Sequence, residues 1–472
     1  MSVPFTARQA AAWTGGEVVR GDAETRFTGA CIDTRTVTSG QLFIAIVGPN
    51  HDAHGFLAQA ATAGASGLLV ERGRAPHGDL APDLPIIAVN DTTRALGSLA
   101  RGHRAAFDGP LIAITGSNGK TTTKEMCAAI LSVAGPCLKN AGNLNNQFGL
   151  PLTLLRREPE HRTVVVELGM NHRGEIAALV DIARPSVGVI TNVGTAHIEH
   201  LGSTDEIALE KGDLVAGLAD DATAVLNADD PLVAAQATRT AARVMFYGTG
   251  SLAEVRAENA TEVGNRGYAF DLVTPSGRER AQVAGLGATA WKNALAAASG
   301  ALAAGVPLSE IVTGLDRYRP VVGRLAPIAL PTGAELIDDT YNANPQSMAV
   351  ALQLLAERAP GGRRIAVIGD MGELGDTAHG AHRDAGRQVA GLGIDFLFTL
   401  GLRADDVADG AVSAGMPSER VCVCRDHEEV ATRVNAIVRA DDCVLVKGSR
   451  AMKMERIVEL LTARVQAVKE SA

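Results

Sequence analysis

Leu111-Ile-Ala-Ile-Thr-Gly-Ser-Asn-Gly-Lys-Thr-Thr-Thr123 is the stretch from which the rest of this chain is best read. Its first residues form a short apolar run that predicts a strand covered on both faces. Two closely spaced glycines, a lysine and a row of threonines follow, and Lys124–Val133 then has helical spacing. A strand–turn–helix of this composition aims successive backbone N–H groups, a helix N-terminus and one ammonium at a polyphosphate. A hydroxyl beside the lysine can serve Mg²⁺. The spacing is not the common G-x-x-x-x-G-K-[ST]: five positions before Gly119 stands Ile114, and the first glycine is Gly116. The loop is the shorter T-G-x-x-G-K-T form, Thr115 to Thr121. The expectation is a protein that handles a nucleoside triphosphate.

Bulk properties narrow the setting. At 472 residues the chain is too long for one core, and domains of about 100–200 residues predict three. Forty-four basic against 53 acidic residues leave a net charge of −9, which with 3% aromatics argues against a nucleic-acid partner. Cysteines 31, 127, 137, 422, 424 and 443 lack zinc-type pair spacing. They are expected to be reduced structural thiols, with Cys422 and Cys424 on one face of a strand. Met-Ser-Val-Pro-Phe-Thr-Ala-Arg8 has no signal-type apolar region, and no run reaches the ~18 apolar residues that span a bilayer. A cytoplasmic protein without membrane insertion is expected.

Residues 1 to about 108 alternate short apolar runs and helical patterns: Phe27–Asp33, Leu42–Val47, Phe56–Ala63, Gly67–Val70, Ile86–Val89 and a helix over Thr92–Phe107. Asp108-Gly-Pro110 punctuates the chain before the phosphate-loop strand. From 109 to about 320 strands and helices alternate, with hairpin-like material over Val244–Val283 and an Ala-rich helix at Trp291–Ala304. Pro320-Val-Val-Gly-Arg324 reads as a joint. In the last third, 321–472, strands are predicted at Leu336–Asp339, Ile365–Gly369, Phe396–Gly401, Arg420–Cys424 and Cys443–Lys447. Apolar strands alternating with helices imply an α/β fold with mostly parallel sheets.

Such sheets bind ligands beyond the carboxyl ends of their strands. Lys120 and Thr121 follow one strand, Glu167 lies near the end of a second in Thr163-Val-Val-Val-Glu167, and the stretch Val187–His197 ends with His197 just past a third. Together they can converge on a metal held by phosphates. Lys211, in Ala208-Leu-Glu-Lys-Gly-Asp-Leu214, reads equally well as a surface lysine or as a site lysine; carbamylation by CO₂ would turn it into an anion beside the metal. Gly142-Asn-Leu-Asn-Asn146, Asp338–Pro345, Gly369-Asp-Met-Gly-Glu-Leu-Gly375 and Lys447-Gly-Ser-Arg450 are polar or glycine-rich loops, where sites concentrate. His379-Gly-Ala-His382 has helical spacing without a partner pattern and is expected at the surface.

Taken in order, these residues resemble the Mur ligases, ATP-dependent amide-bond-forming enzymes of peptidoglycan precursor synthesis. The resemblance runs through Asp33-Thr-Arg35, Leu42-Phe-Ile-Ala45, His51–Phe56, Thr115–Thr122, Gly142–Gly149, Glu167–His172, Asn192–His197, Asp339–Pro345 and Lys447–Arg450. Asn-Leu-Asn-Asn and Tyr-Asn-Ala-Asn-Pro point to the branch that adds D-alanyl-D-alanine to UDP-N-acetylmuramoyl-tripeptide. The resemblance implies three domains: 1–108 binding the UDP substrate, a central P-loop ATPase at 109–320 and a Rossmann-like domain at 321–472. It implies ATP held by Thr115, Gly116, Ser117, Asn118, Gly119, Lys120, Thr121 and Thr122, with Asn293, Arg324 and Asp339. Mg²⁺ would be served by Thr121 and Glu167, and a second ion by His197 and carbamylated Lys211. Lys120, His197 and Lys211 are the implied catalytic set.

Substrate contacts are implied for Thr34 and Arg35 at the uridine end. Others are implied for Asn143, Asn145 and Asn146, for Tyr341, Asn342 and Asn344, and for Lys447, Ser449 and Arg450. A monomer is expected. The family carries His-Asn just before the Ala-rich helix, whereas Thr289-Ala290 stands here, ahead of Asn293, so the adenine-side contacts are expected to differ. A related ligase adding one amino acid is the nearest rival; a P-loop switch is another, but the chain lacks the Asn-Lys-x-Asp guanine signature.

Overall fold

The computed structural model describes residues 2–75, 80–264, 267–358 and 361–463. Nine strands form the largest sheet, with Leu111–Thr115 between Thr163–Glu167 and Val187–Ile190. Cys137–Lys139 closes one edge. On the other side follow Thr223–Asn227, Arg243–Gly248 and Val255–Glu262, all parallel. The hairpins expected over Val244–Val283 are found only from Val255 onward, where Gly267–Thr274 and Gly277–Ala284 complete the sheet antiparallel; Arg243–Gly248 is a parallel strand instead.

Every residue of Leu111–Thr115 is buried. Leu111 and Ala113 enter one hydrophobic cluster, and Ile112 and Ile114 enter another on the opposite face. The second cluster contains Met126, Ala294 and Ala297, from helices Lys120–Leu131 and Thr289–Ala303. The first runs without a break into the N-terminal residues Phe5, Phe27, Leu42, Leu96 and Leu99. Helix Thr92–Arg104 reinforces that junction: Arg104 donates from Nε to Ala183 O (3.1 Å) and from Nη2 to Arg184 O (3.2 Å).

The N-terminal sheet has five strands in the order Glu17–Arg20, Ile86–Val89, Gly67–Glu71, Leu42–Ile44, Ala30–Cys31, parallel except for the first. The single strand expected over Phe27–Asp33 is two: Arg26–Phe27 pairs with Phe5–Thr6, and Ala30–Cys31 joins the five-stranded sheet. Gly29 between them has φ +121°, which breaks the strand. The C-terminal sheet runs Ala326–Ala329, Glu335–Asp339, Cys443–Lys447, Arg364–Gly369, Phe396–Leu400, Val421–Cys424, with only the first strand antiparallel. Cys422 and Cys424 share a face with their sulfurs 3.7 Å apart, and all six cysteines are free. Among the described residues no helix is long and apolar enough to cross a membrane.

One expectation fails outright. His382 is fully buried in helix Ala378–Gly391, its Nε2 accepting from Met371 N (2.9 Å) and its Nδ1 facing Ala378 O (2.7 Å). Only His379 is exposed, beside Asp406. Helical spacing put both histidines on one face; packing of the Met371 loop over that face buries the second.

Asp442 ties the start of the central C-terminal strand. Its carboxylate accepts from Arg363 N (3.0 Å), Nε (3.1 Å) and Nη2 (2.6 Å) and from Arg439 N (2.7 Å). Burial alone would raise this carboxyl, but the Arg363 side chain and the two backbone N–H groups hold it below its ordinary value. Its stabilisation is therefore complete above the unfolded pKa of about 3.9 and is lost as pH falls through the lower folded value. Asp442→Asn should cost about 2–3 kcal/mol at neutral pH, because Arg363 loses its partner. In thermal melts it should also narrow the gap between neutral and acid stability; a melting curve identical to wild type at pH 7 would exclude this.

Candidate active site

The phosphate loop is held from the side. Ser117 N donates to Asn192 O and Asn118 N to Asn192 Oδ1 (both 2.9 Å), while Gly194 N donates to Ser117 Oγ (2.7 Å). Thr191 Oγ1 and Asn192 Nδ2 both donate to Asn118 O. Gly116 (φ +149°) admits no side chain, since a Cβ there would lie 1.9 Å from Thr191 Oγ1. A Cβ on Gly119 would lie 2.4 Å from Asn293 Oδ1, which places Asn293 directly against the loop. Lys120 bends over the turn, donating to Gly116 O (2.7 Å) and Ser117 O (3.3 Å). Removal from water lowers its pKa, with Glu167 opposing and Arg324 reinforcing the shift.

Glu167 ends its strand beside this turn. Thr121 Oγ1 donates to its Oε2 and Asn145 Nδ2 to its Oε1, both at 2.8 Å. Buried Asn140 pins the backbone here, accepting from Glu167 N (2.9 Å) and donating to Glu167 O (3.1 Å). The result is a pair of hard oxygen donors at a helix N-terminus, a set that suits Mg²⁺. Lys211, from helix Thr204–Ala216, is 1% exposed and has no hydrogen-bond or ion-pair partner among the described residues. Burial first, then the nearby Lys120, pushes its pKa well below the ordinary lysine value. The surface reading of Lys211 is thereby excluded.

The C-terminal residues close the other side. Arg324 stacks on the Tyr341 ring at 3.9 Å and donates from Nη2 to Thr121 Oγ1 (3.1 Å), while its buried Nε has no hydrogen-bond partner among the described residues. Lys447 Nζ sits 2.5 Å from Asp339 Oδ2 and donates to Asn342 O (3.0 Å). Asn344 caps helix Pro345–Glu357 and donates from Nδ2 to Asn118 Oδ1 (2.9 Å). Thr195 N donates to Gln346 Oε1 (3.1 Å), and His197 Nδ1 lies 2.6 Å from Glu373 Oε2.

Many of these groups line one cavity of about 1070 Å³. It brings together Ser117, Asn118, Gly119, Lys120, Thr122, Asn143, Asn145, Asn146, Glu167, His197, Lys211 and Asn293 with Arg324, Asp339, Tyr341, Asn342, Asn344, Lys447, Ser449 and Arg450. Thr115, Gly116 and Thr121 stand behind the lining: Thr115 Oγ1 is spent on Leu168 O (3.0 Å). Thr34 and Arg35 are not in it; Arg35 is exposed and paired with Asp33. Reading by motif missed Asn140, Asn192, Gln346 and Glu373. Asn192 and Glu373 lay inside quoted loops, whereas Asn140 and Gln346 carry no local signal beyond adjacency to one.

The Arg324–Tyr341 stack generates a test. A lysine has neither the planar face nor the fork of a guanidinium. Arg324→Lys and Tyr341→Ala should each weaken calorimetric binding of an ATP analogue about tenfold, equivalent to ~1.4 kcal/mol, while Tyr341→Phe binds normally. Equal affinities across the three would discard the stack as a nucleotide contact.

Residues 114–301 match the Mur ligase middle domain, and residues 323–450 match the Mur ligase, glutamate ligase domain. The chain is 38% identical over 432 residues to the UDP-N-acetylmuramoyl-tripeptide–D-alanyl-D-alanine ligase of Escherichia coli K12, covering 91% of this chain and 92% of that one. It is 33% identical to the ligase of the same name from Bacillus subtilis 168, covering 92% and 93%. A crystal structure of MurF from Acinetobacter baumannii superposes with a TM-score of 0.88 at 33% identity, covering 98% and 99%. MurF ligase from Thermotoga maritima in complex with ADP gives 0.81 at 26% identity, covering 93% and 98%. With the phosphate turn, the carboxylate beside it and the C-terminal cations gathered on one cavity, this chain belongs to the Mur ligase family.

Proposed function

We propose that this chain is an ATP-dependent ligase that joins D-alanyl-D-alanine to UDP-N-acetylmuramoyl-tripeptide, releasing ADP and phosphate. The observation that carries this reading is the single cavity into which the phosphate turn and the C-terminal residues Arg324, Asp339, Lys447 and Arg450 both project. The relatives named for that reaction match over more than nine-tenths of the chain.

A carboxylate is a poor acyl donor because its oxygen leaves badly. In the proposed sequence a terminal carboxylate oxygen of the tripeptide attacks the γ-phosphorus, the bond to ADP breaks and an acyl phosphate forms. The amine of the dipeptide then adds to the carbonyl carbon, loses a proton, and phosphate departs with its electron pair. Phosphoryl transfer between anions asks for positioning and charge neutralisation more than for a protein nucleophile. Lys120 and the loop N–H groups would take the β- and γ-phosphates, and Arg324 and Asn293 would bound the nucleotide. The Asn143–Asn146 loop, Tyr341–Asn344 and Lys447–Arg450 would position the two peptides. Thr34 and Arg35, outside the cavity, would meet the far uridine end.

Thr121 and Glu167 fit a Mg²⁺ ion, which when bound neutralises phosphate charge and orients the transferred group. His197 and Lys211 fit a second ion only if Lys211 is anionic. A buried, unpaired amine is the form that adds CO₂: the N–C bond forms, one proton leaves, and a carbamate remains. We assign the UDP-substrate, ATPase and ligase roles to 1–108, 109–320 and 321–472, and read the enzyme as a cytoplasmic monomer. The six free thiols suit a reducing compartment.

Oxygen-18 placed in the tripeptide's terminal carboxylate should appear in released phosphate; phosphate free of label would refute the acyl-phosphate route. Phosphate release should depend on D-alanyl-D-alanine and stay near background with single amino acids. Lys120→Ala should abolish turnover without changing the circular dichroism spectrum, and retained activity would overturn the phosphate-loop assignment. With ¹³C-bicarbonate, a carbamate carbon should be seen by NMR in wild type and lost in Lys211→Ala; its absence from wild type would remove Lys211 from the metal set.

A further inference from the structure

Glu373 lies in Gly369-Asp-Met-Gly-Glu-Leu-Gly375, a loop the reaction above leaves without a task. It has a left-handed backbone (φ +59°), and so does His197 (φ +67°). Non-glycine residues hold that conformation only where their surroundings over-determine it, and such outliers gather at functional sites. The surroundings do so here. Met371 N donates to buried His382 Nε2 (2.9 Å), and the Asp370 carboxylate accepts from Leu402 N (2.8 Å) and Arg403 N (3.0 Å). Ser449 N donates to Asp370 O (2.8 Å). The loop is thus clamped on both sides and presents the Glu373 carboxylate to the central unit, 2.6 Å from His197 Nδ1. That nitrogen is buried without an aligned hydrogen bond, and among the described residues Glu373 is its ion-pair partner.

We propose that Glu373 is a positioning residue that fixes the imidazole of His197 in its Nδ1–H tautomer, leaving Nε2 as the free lone pair. A neutral imidazole has one N–H and one lone pair, and a carboxylate at one nitrogen decides which is which. Histidines that ligate metals are set in this way by a carboxylate at the other ring nitrogen. Glu373 reaches His197 from the opposite wall of the cavity. The ring is therefore oriented only while the C-terminal unit is seated, which makes assembly of the site conditional on docking. The kinetic consequence rests on the ligase reading; the tautomer does not.

The test uses full-length, metal-free protein with ¹⁵N-labelled histidine, the His197 signals being assigned by their loss in His197→Ala. Wild type should give the Nδ1–H pattern and Glu373→Ala a shift toward Nε2–H. Glu373→Gln, whose side-chain oxygen keeps a negative dipole facing Nδ1–H, should keep the wild-type pattern. In turnover, Glu373→Ala should lower kcat about 10- to 100-fold with KM for ATP within about twofold, and Glu373→Gln should recover much of the loss. The same tautomer in wild type and Glu373→Ala, or Glu373→Gln as impaired as Glu373→Ala, would overturn the proposal. A plain interface ion pair predicts those latter outcomes. If Glu373→Ala does not fold, the pattern of Glu373→Gln decides alone, an Nε2–H signal counting against. Wild type that forms no product would sink the ligase reading, while the tautomer comparison would still judge Glu373.

Discussion

Leu111–Thr115 has two cores to satisfy at once, and the rest of the molecule is arranged around that constraint. Alternate side chains enter opposite hydrophobic clusters, so a register shift of one residue would exchange them between two differently shaped cores. The strand therefore cannot slide, and the turn at Gly116 is fixed relative to the ends of its two neighbours. Glu167 and the Thr191–Gly194 segment are those neighbours' ends, and both are bonded to the turn or to the helix that follows it. The geometry of the site is a consequence of sheet packing before any ligand is considered.

The two outer units are attached to this centre by different physics. The N-terminal unit shares a continuous apolar cluster with it, from Phe5 and Leu99 to Leu154 and Val164, with Arg104 bonded to backbone carbonyls beneath. On the cavity side the C-terminal unit meets it through polar pairs, Arg324 with Thr121, Asn344 with Asn118, Gln346 with Thr195, and Glu373 with His197, while Leu286 of the centre also enters the C-terminal hydrophobic cluster. An apolar weld loses its stabilisation if opened, whereas polar pairs can exchange protein partners for water or ligand at small net cost. A reaction through a water-sensitive acyl phosphate calls for this second kind of joint on the side where substrates meet.

Lysines also divide by environment. Lys447 is neutralised by Asp339 and Lys124 bonds Asn140 O, while Lys211 is equally buried with no partner among the described residues. Three buried lysine side chains in similar helix and strand settings thus have different chemical fates. The difference lies in which carboxylates the fold brings within reach, and that follows from contacts far apart in sequence.

The phosphate turn, the alternation of strand and helix, the parallel sheets and most of the cavity lining were legible in the residues. Each is a local property: glycine spacing, apolar runs, and polar residues placed just after strands. Local signals failed where distant segments intervene. Gly29 split one expected strand, and His382 was covered by the Met371 loop. The sequence by itself determined which chemistry this chain can carry, because phosphate-binding turns and acidic strand ends are made of near neighbours. Only the tertiary structure decided that Lys211 is buried, that Asn140 pins Glu167 and that Glu373 faces His197. Burial and pairing at those positions arise between residues tens to hundreds of positions apart, where no periodicity reaches.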